Sequence, residues 1–214
     1  MNRVIAIDGP SGSGKSTVAR ALAARLGLGY LDTGAMYRAA TWAALNGGVD
    51  LQDVERVAEL VAATPIDVSL EGVVVGGADA TAIIRGPEVS RSVSIVAAQP
   101  AVRADLRGRQ RAWVDQRGGG VVEGRDIGSV VFPGATLKVY LTASPEARAR
   151  RRAAERGDHD ESEIAATAAE LERRDHLDST RSDSPLLEAD GAVLVDTTGM
   201  SVDEVVAQIV EMLG

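Results

Sequence analysis

The 214-residue chain contains no cysteine, which excludes disulfides and thiolate metal sites. Lysine is almost missing too: only Lys15 and Lys138 occur, and every other basic side chain apart from histidine is an arginine. Histidine is limited to His159 and His176, two isolated residues that do not make a metal site and are read as bystanders to the chemistry. Aromatics are 3% of a chain that is 45% hydrophobic, so the core must be aliphatic. No run approaches the ~20 apolar residues needed to cross a bilayer, and no membrane partner is expected. Asp8 and Gly9 interrupt the apolar start, unlike a secretory signal, so a cytoplasmic protein is expected.

Positive charge is scarce overall. The formal net charge is -8 and the pI about 4.9, which argues against gripping a nucleic-acid backbone and points to a small ligand. The arginines are nonetheless clustered, at Arg103 to Arg111, Arg148 to Arg152 and Arg173 to Arg181. Local clustering suits phosphate clamps, because guanidinium offers forked donors, although coding bias would also give arginine for lysine.

Length and apolar content fit one α/β domain. Val4 to Ile7 is a continuous apolar run, the pattern of a strand buried on both faces, and Tyr30 to Asp32, Val121 to Glu123, Leu137 to Leu141 and Ala192 to Val195 read as four more strands. Helices are expected from Lys15 to Leu26, ended by Gly27, and at Pro100 to Arg117, Pro145 to Arg156, Ile164 to Arg174 and Val202 to Leu213. Five strands alternating with helices predict a doubly wound parallel sheet. Residues 35 to 99 break the alternation. Helices at Met36 to Leu45 and Val54 to Ala63 lead into three β-like runs, Ile66 to Leu70, Val73 to Val75 and Ala82 to Arg85, expected as an antiparallel meander. The polar break from Gly157 to Glu161 makes Pro145 to Arg174 a helical hairpin.

One loop states its chemistry. Gly9, Pro10, Ser11, Gly12, Ser13, Gly14, Lys15 and Ser16 fit G-x-x-x-x-G-K-[ST] between a predicted strand and a predicted helix, with Thr17 next. Glycines without Cβ let successive amides curl toward one anion, and the helix N-terminus adds positive partial charge. Lys15 would reach the β and γ phosphates of ATP, Ser16 would put its hydroxyl on Mg²⁺, and Thr17 would sit beside the α phosphate.

A switch GTPase carries the same loop, and Asp196-Thr197-Thr198-Gly199 offers a superficial D-x-x-G. It lies too late in the chain, and with lysine only at 15 and 138 no N-K-x-D guanine reader exists. A small P-loop kinase needs instead an acceptor-binding subdomain and a lid carrying cations. Asp32 to Arg38 is placed to begin the acceptor site, and Arg148, Arg150, Arg151 and Arg152 could close over the transferred phosphoryl group or simply face solvent.

At this point a resemblance becomes specific. Asp8 to Gly12 with Gly14-Lys15, Leu31 to Arg38, Arg109-Gln110-Arg111, Gly124-Arg125-Asp126-Ile127-Gly128 with Val131-Phe132-Pro133, and Arg174-Asp175 through Asp178 to Arg181 are together similar to the bacterial cytidylate kinases. That resemblance implies transfer of the γ phosphate of ATP, with Mg²⁺, to CMP or dCMP, by a monomer that binds only small nucleotides. It implies a P-loop NTPase-type five-stranded parallel sheet with helices on both faces. The core would be 1–34, 100–147 and 175–214, the NMP-binding insertion with its three-stranded meander 35–99, and the helical lid 148–174.

Carried over by position, the resemblance assigns Ser94, Arg103 and Asp126 to the edge of cytosine, Arg125 and Arg174 to the acceptor's phosphate, and Asp178 and Arg181 to the sugar and nearby phosphate. Thr33, Tyr37 and Arg38 complete the acceptor site, and Lys15, Arg151 and Arg152 are the expected catalytic cations. A helix-surface hydroxyl is the alternative for Ser94, and an Asp–Arg surface ladder the alternative for the group at 174, 178 and 181. The lid stretch Gly157 to Ala169 is acidic and alanine-rich where the family pattern is not, so the arginine that meets the γ phosphate is left open. A kinase for another small acceptor and a nucleotide sensor without transfer activity are the competing readings.

Overall fold

A computed structural model describes residues 2–157 and 160–214. Five parallel strands form the central sheet: β1 (Arg3–Asp8), β2 (Tyr30–Asp32), β6 (Gly119–Gly124), β7 (Leu137–Thr142) and β8 (Val193–Asp196), in spatial order β2-β6-β1-β7-β8. Alternation along β1 gives the sheet two cores. Val4 and Ala6 face α2 (Thr33–Asn46), α3 (Val54–Ala63), α4 (Pro87–Ala97) and α5 (Pro100–Arg117), whereas Ile5 and Ile7 face α1 (Lys15–Leu26) and α8 (Val202–Glu211). Because successive strand side chains point to opposite faces, covering both faces requires the continuous apolar run that the sequence shows.

Helix α1 buries Val18, Ala19, Leu22 and Ala23 and ends at Gly27, whose φ of 64° lets its N–H and that of Leu28 turn back on the Ala24 and Ala23 carbonyls. Beyond β7, α6 (Pro145–Arg156) packs on α7 (Glu161–Thr180). The expected helix from Ile164 to Arg174 is longer at both ends. Asp160 caps its start through Ser162 N–H, and the chain runs unbroken past position 174 to Thr180. His159 lies outside the described residues.

The antiparallel meander is present, but its third strand is not the expected Ala82 to Arg85. After β3 (Ile66–Val68) and β4 (Val73–Val75), Gly76 and Gly77 with positive φ turn the chain in two residues, so pairing resumes at once in β5 (Ala78–Asp79). The Thr81 hydroxyl then accepts from Val73 N–H at 2.9 Å, and Ile83–Arg85 becomes a 3₁₀ turn that buries Ile84. The β-branched composition of that run reflects burial, not pairing. Helix α4 was given no range from the sequence beyond the helical alternative for Ser94, although Pro87 at its first position and Val89, Val93, Val96 and Ala97 on one face carry the signal.

Candidate functional site

The cradle forms where β1 meets α1. Gly12 and Gly14 have φ of 77° and 88°, the left-handed region, and Gly14 leaves the first amides of α1 with no side-chain cap. A Cβ on Gly9 would stand 2.0 Å from the Leu141 carbonyl oxygen, so only glycine permits the loop to lie this close to β7. The Lys15 side chain is half-buried, its ammonium deep under the loop and donating to the Pro10 carbonyl at 2.7 Å. Burial and the nearby Arg125 push its pKa down to about 7, against the pull of Glu123 and Asp175. Ser13 Oγ is buried with no hydrogen-bond partner. Open amides, an under-compensated ammonium and a glycine-lined approach fit a polyphosphate chain.

The cradle opens into a cavity of about 500 Å³, with Gly12, Gly14, Lys15 and Ser16 in its wall. All ten expected acceptor residues line it, from Thr33, Tyr37 and Arg38 on α2 and Ser94 on α4 to Arg174, Asp178 and Arg181 at the end of α7. Arg103, fully buried on α5, donates to Asp126 Oδ2 at 2.5 Å and to the Ala97 carbonyl at 3.0 Å, while its guanidinium stacks 5.2 Å from the Tyr37 ring centre. Asp126 also faces Arg181 at 3.8 Å. Arg125 donates to Asp178 at 2.8 Å, to Ser11 Oγ at 2.5 Å and to the Gly9 carbonyl, which links the acceptor side to the cradle.

Positive charge exceeds negative around this cavity. Burial lowers the Arg38 pKa to about 9, with Arg174, Arg152 and Arg85 adding to the shift, and burial followed by Arg125 lowers that of Arg174 to about 10. The Nε of Arg174 and the Nη2 of Arg181 are buried without a hydrogen-bond acceptor. Asp178 goes the other way: burial raises its pKa, but Arg125, Arg174 and Arg181 together hold it below the usual carboxylate range. Cations that burial and mutual repulsion disfavour would be relieved by an anion among them.

The lid arginines divide. Arg152 lines the cavity and pairs with Glu155 at 2.8 Å, whereas Arg151 donates to Thr197 Oγ1 at 2.9 Å and to its carbonyl at 2.6 Å, beside Gly14 but outside the cavity lining. Arg148 is tied to the cradle itself. It donates to the Ser11 carbonyl at 3.0 Å and to Asp175, whose other oxygen accepts from Ser11 N–H at 2.9 Å. His176 is exposed and apart from the cavity.

Two carboxylates were missed in the sequence. Glu123, buried at the C-terminal end of β6, accepts from the Tyr30 hydroxyl at 2.5 Å and bonds the Ser16 side chain, and burial and Asp32 raise its pKa to about 7. Its carbonyl accepts from Thr33 Oγ1 at 2.6 Å. Asp8, at the end of β1, accepts from Ile127 N–H at 2.9 Å and Gly128 N–H at 2.7 Å. The available signal was position: both end parallel strands at the edge where ligands of such sheets bind. No cluster of three or more His, Asp or Glu that could hold a metal occurs among the described residues. The Ser16 hydroxyl with the Glu123 carboxylate is the hard-oxygen pair suited to Mg²⁺, a cation that keeps waters and phosphate oxygens as its other ligands.

Residues 5–214 match the family model for cytidylate kinase. A cytidylate kinase of Rhodococcus opacus is 50% identical, over 96% of this chain and 92% of its own, and one of Mycobacterium leprae is 48% identical over 98% and 95%. A bifunctional pantoate ligase/cytidylate kinase of Synechococcus sp. is 51% identical over 95% of this chain and 43% of its own length. Among solved structures, an uncharacterized protein from Eubacterium ventriosum superposes with a TM-score of 0.53 at 12% identity, covering 99% of this chain and 98% of that one, a likeness of fold alone.

Proposed function

The chain belongs to the cytidylate kinase family, and from that premise we propose that it transfers the γ phosphate of ATP to CMP or dCMP, giving ADP and CDP or dCDP. The observation that carries this reading is the cavity in which the buried Arg103–Asp126 pair lies across from the cradle, with Arg125 joining the two. Asp126 would accept from the exocyclic amine of cytosine and Arg103 would donate to its ring nitrogen and carbonyl. A base without the amine would bring no donor to the Asp126 oxygen that Arg103 leaves free, and a polar pocket discriminates by such a loss.

Arg125 and Arg174 would hold the acceptor's phosphate, and Asp178 and Arg181 the sugar and nearby charge. Lys15, with Arg152 from the lid, would offset charge on the transferred group, and Arg151, at the mouth of the cradle, would join them on closure. The Ser16 hydroxyl, with the Glu123 carboxylate beside it, would hold Mg²⁺, which would supply charge neutralisation on the phosphate oxygens. The protein's part is positioning and preorganised charge, with no covalent intermediate on any side chain. A monomer working in the cytoplasm completes this reading.

The test is direct. Incubation with Mg-ATP and each nucleoside monophosphate separately, with shikimate as an unrelated acceptor, should give diphosphate from CMP and dCMP. Preferential phosphorylation of AMP, GMP or shikimate would reject the acceptor assignment.

A further inference from the structure

Arg125 and Asp126 lead into a π-helical turn, Ile127–Val131, whose two ends are held by side chains of opposite charge. The first free amides, of Ile127 and Gly128, donate to buried Asp8. The last free carbonyls are met by Arg111 on α5: its Nε donates to Val131 and its Nη2 to Val130, each at 3.0 Å. Between the ends, the N–H groups of Val130 and Val131 both return to the Asp126 carbonyl, at 2.9 and 3.1 Å. Of the two peptide units that Arg111 grips, Val130–Val131 bonds the Asp126 carbonyl through Val131 N–H, and Val131–Phe132 bonds the Ile127 carbonyl through Phe132 N–H at 2.7 Å. Arg111 itself is exposed and does not line the cavity.

A five-residue turn with wide π geometry has little stability of its own and needs its terminal groups satisfied from outside. Arg111 acts from the same helix that carries Arg103, eight residues earlier and fully buried against Asp126. Its neighbour Arg109 points elsewhere and closes the end of α3, donating to the carbonyls of Val61 and Thr64 at 2.8 Å and of Ala62 at 3.2 Å. One helix thus ties both the end of α3 and the π-helical turn to the element that carries Arg103.

We propose that Arg111 is a positioning residue for acceptor recognition, fixing Asp126 and Arg125 against Arg103 through the carbonyls of Val130 and Val131 without touching the nucleotide. The assignment rests on the acceptor reading above. Arg111→Ala and Arg111→Lys should be compared with wild type by calorimetric binding of CMP without ATP, by KM for each substrate, and by melting temperature. Losing two charge-assisted bonds should weaken CMP binding and raise its KM about tenfold in the alanine variant. KM for ATP and kcat should stay within about twofold, and the lysine variant should fall between. An equal rise in both KM values, or a lower melting temperature with CMP binding unchanged, would overturn the assignment. Wild-type protein that binds no CMP would reject the acceptor reading and this role together, whereas intact wild-type binding with indifferent variants rejects this role alone.

Discussion

The chemistry of the site is decided by single side chains whose surroundings set their charge. Asp8 shows this most directly. Burial lifts its pKa from the usual 3.8 to about 6, even though two backbone N–H groups and Lys15 favour the anion. For a carboxyl whose folded pKa is raised, the folded state binds the proton more tightly than the unfolded chain. The stabilisation from Asp8 is therefore present below pH 3.8 and disappears as pH rises through about 6. A shift of that size is worth ~3 kcal/mol at most. Urea unfolding of wild type and Asp8→Asn between pH 4.5 and 7.5 should show the wild type losing roughly 2 kcal/mol against the variant as pH rises. A difference independent of pH would refute the raised pKa. Lys15 presents the opposite sign: its ammonium is disfavoured by burial and by Arg125, so the anion for which it waits stabilises its charged form.

At the scale of elements, local sequence and tertiary contact contribute unequally. Helix α8 is a local design: Ser201 Oγ accepts from Glu204 N–H, and the Glu204 carboxylate reaches back to Ser201 N–H at 2.8 Å, a reciprocal cap in front of Val205, Val206 and Ile209. Ser201→Ala should cost about 1 kcal/mol, a fall of roughly 3 °C in melting temperature, with KM values unchanged. Loss of activity beyond the change in stability would contradict a purely local role. The cradle was legible for the same reason, since its glycine spacing, lysine and flanking strand and helix are all contiguous. The third meander strand was not. Its β-branched residues signalled burial, and only the two-residue turn at Gly76-Gly77 shows that pairing ended by Asp79. The π-helical turn had no pattern of its own, because its terminal groups are satisfied by Asp8 and Arg111, 119 and 20 residues away in sequence.

For the whole molecule the relevant quantity is a local excess of cations inside an acidic chain of net charge -8. The excess is gathered from α2, α5, α6, α7 and the turn after β6, so the two ligands are the natural partners of all of them at once. Mg-ADP and CMP together, each at about a hundred times its dissociation constant, should raise the melting temperature by more than either alone. Each contributes ~2.7 kcal/mol, or about 5–10 °C in a chain of this size. Absence of a shift with CMP, under conditions where Mg-ADP gives one, would show that the acceptor cavity does not take that nucleotide.

The sequence by itself determined the parallel sheet and the glycine-rich loop between β1 and α1, because contiguous apolar runs and glycine spacing act through neighbours along the chain, whereas the acceptor-side residues were assigned through the family resemblance. Only the folded molecule decided how those residues pair. It put Glu123 beside Ser16 and Tyr30, turned Arg151 onto Thr197 while Arg152 faced the cavity, and braced Asp126 from Asp8 and Arg111. Those are choices among partners far apart in sequence, made by burial and by the need to satisfy each enclosed polar group, and no local pattern encodes them.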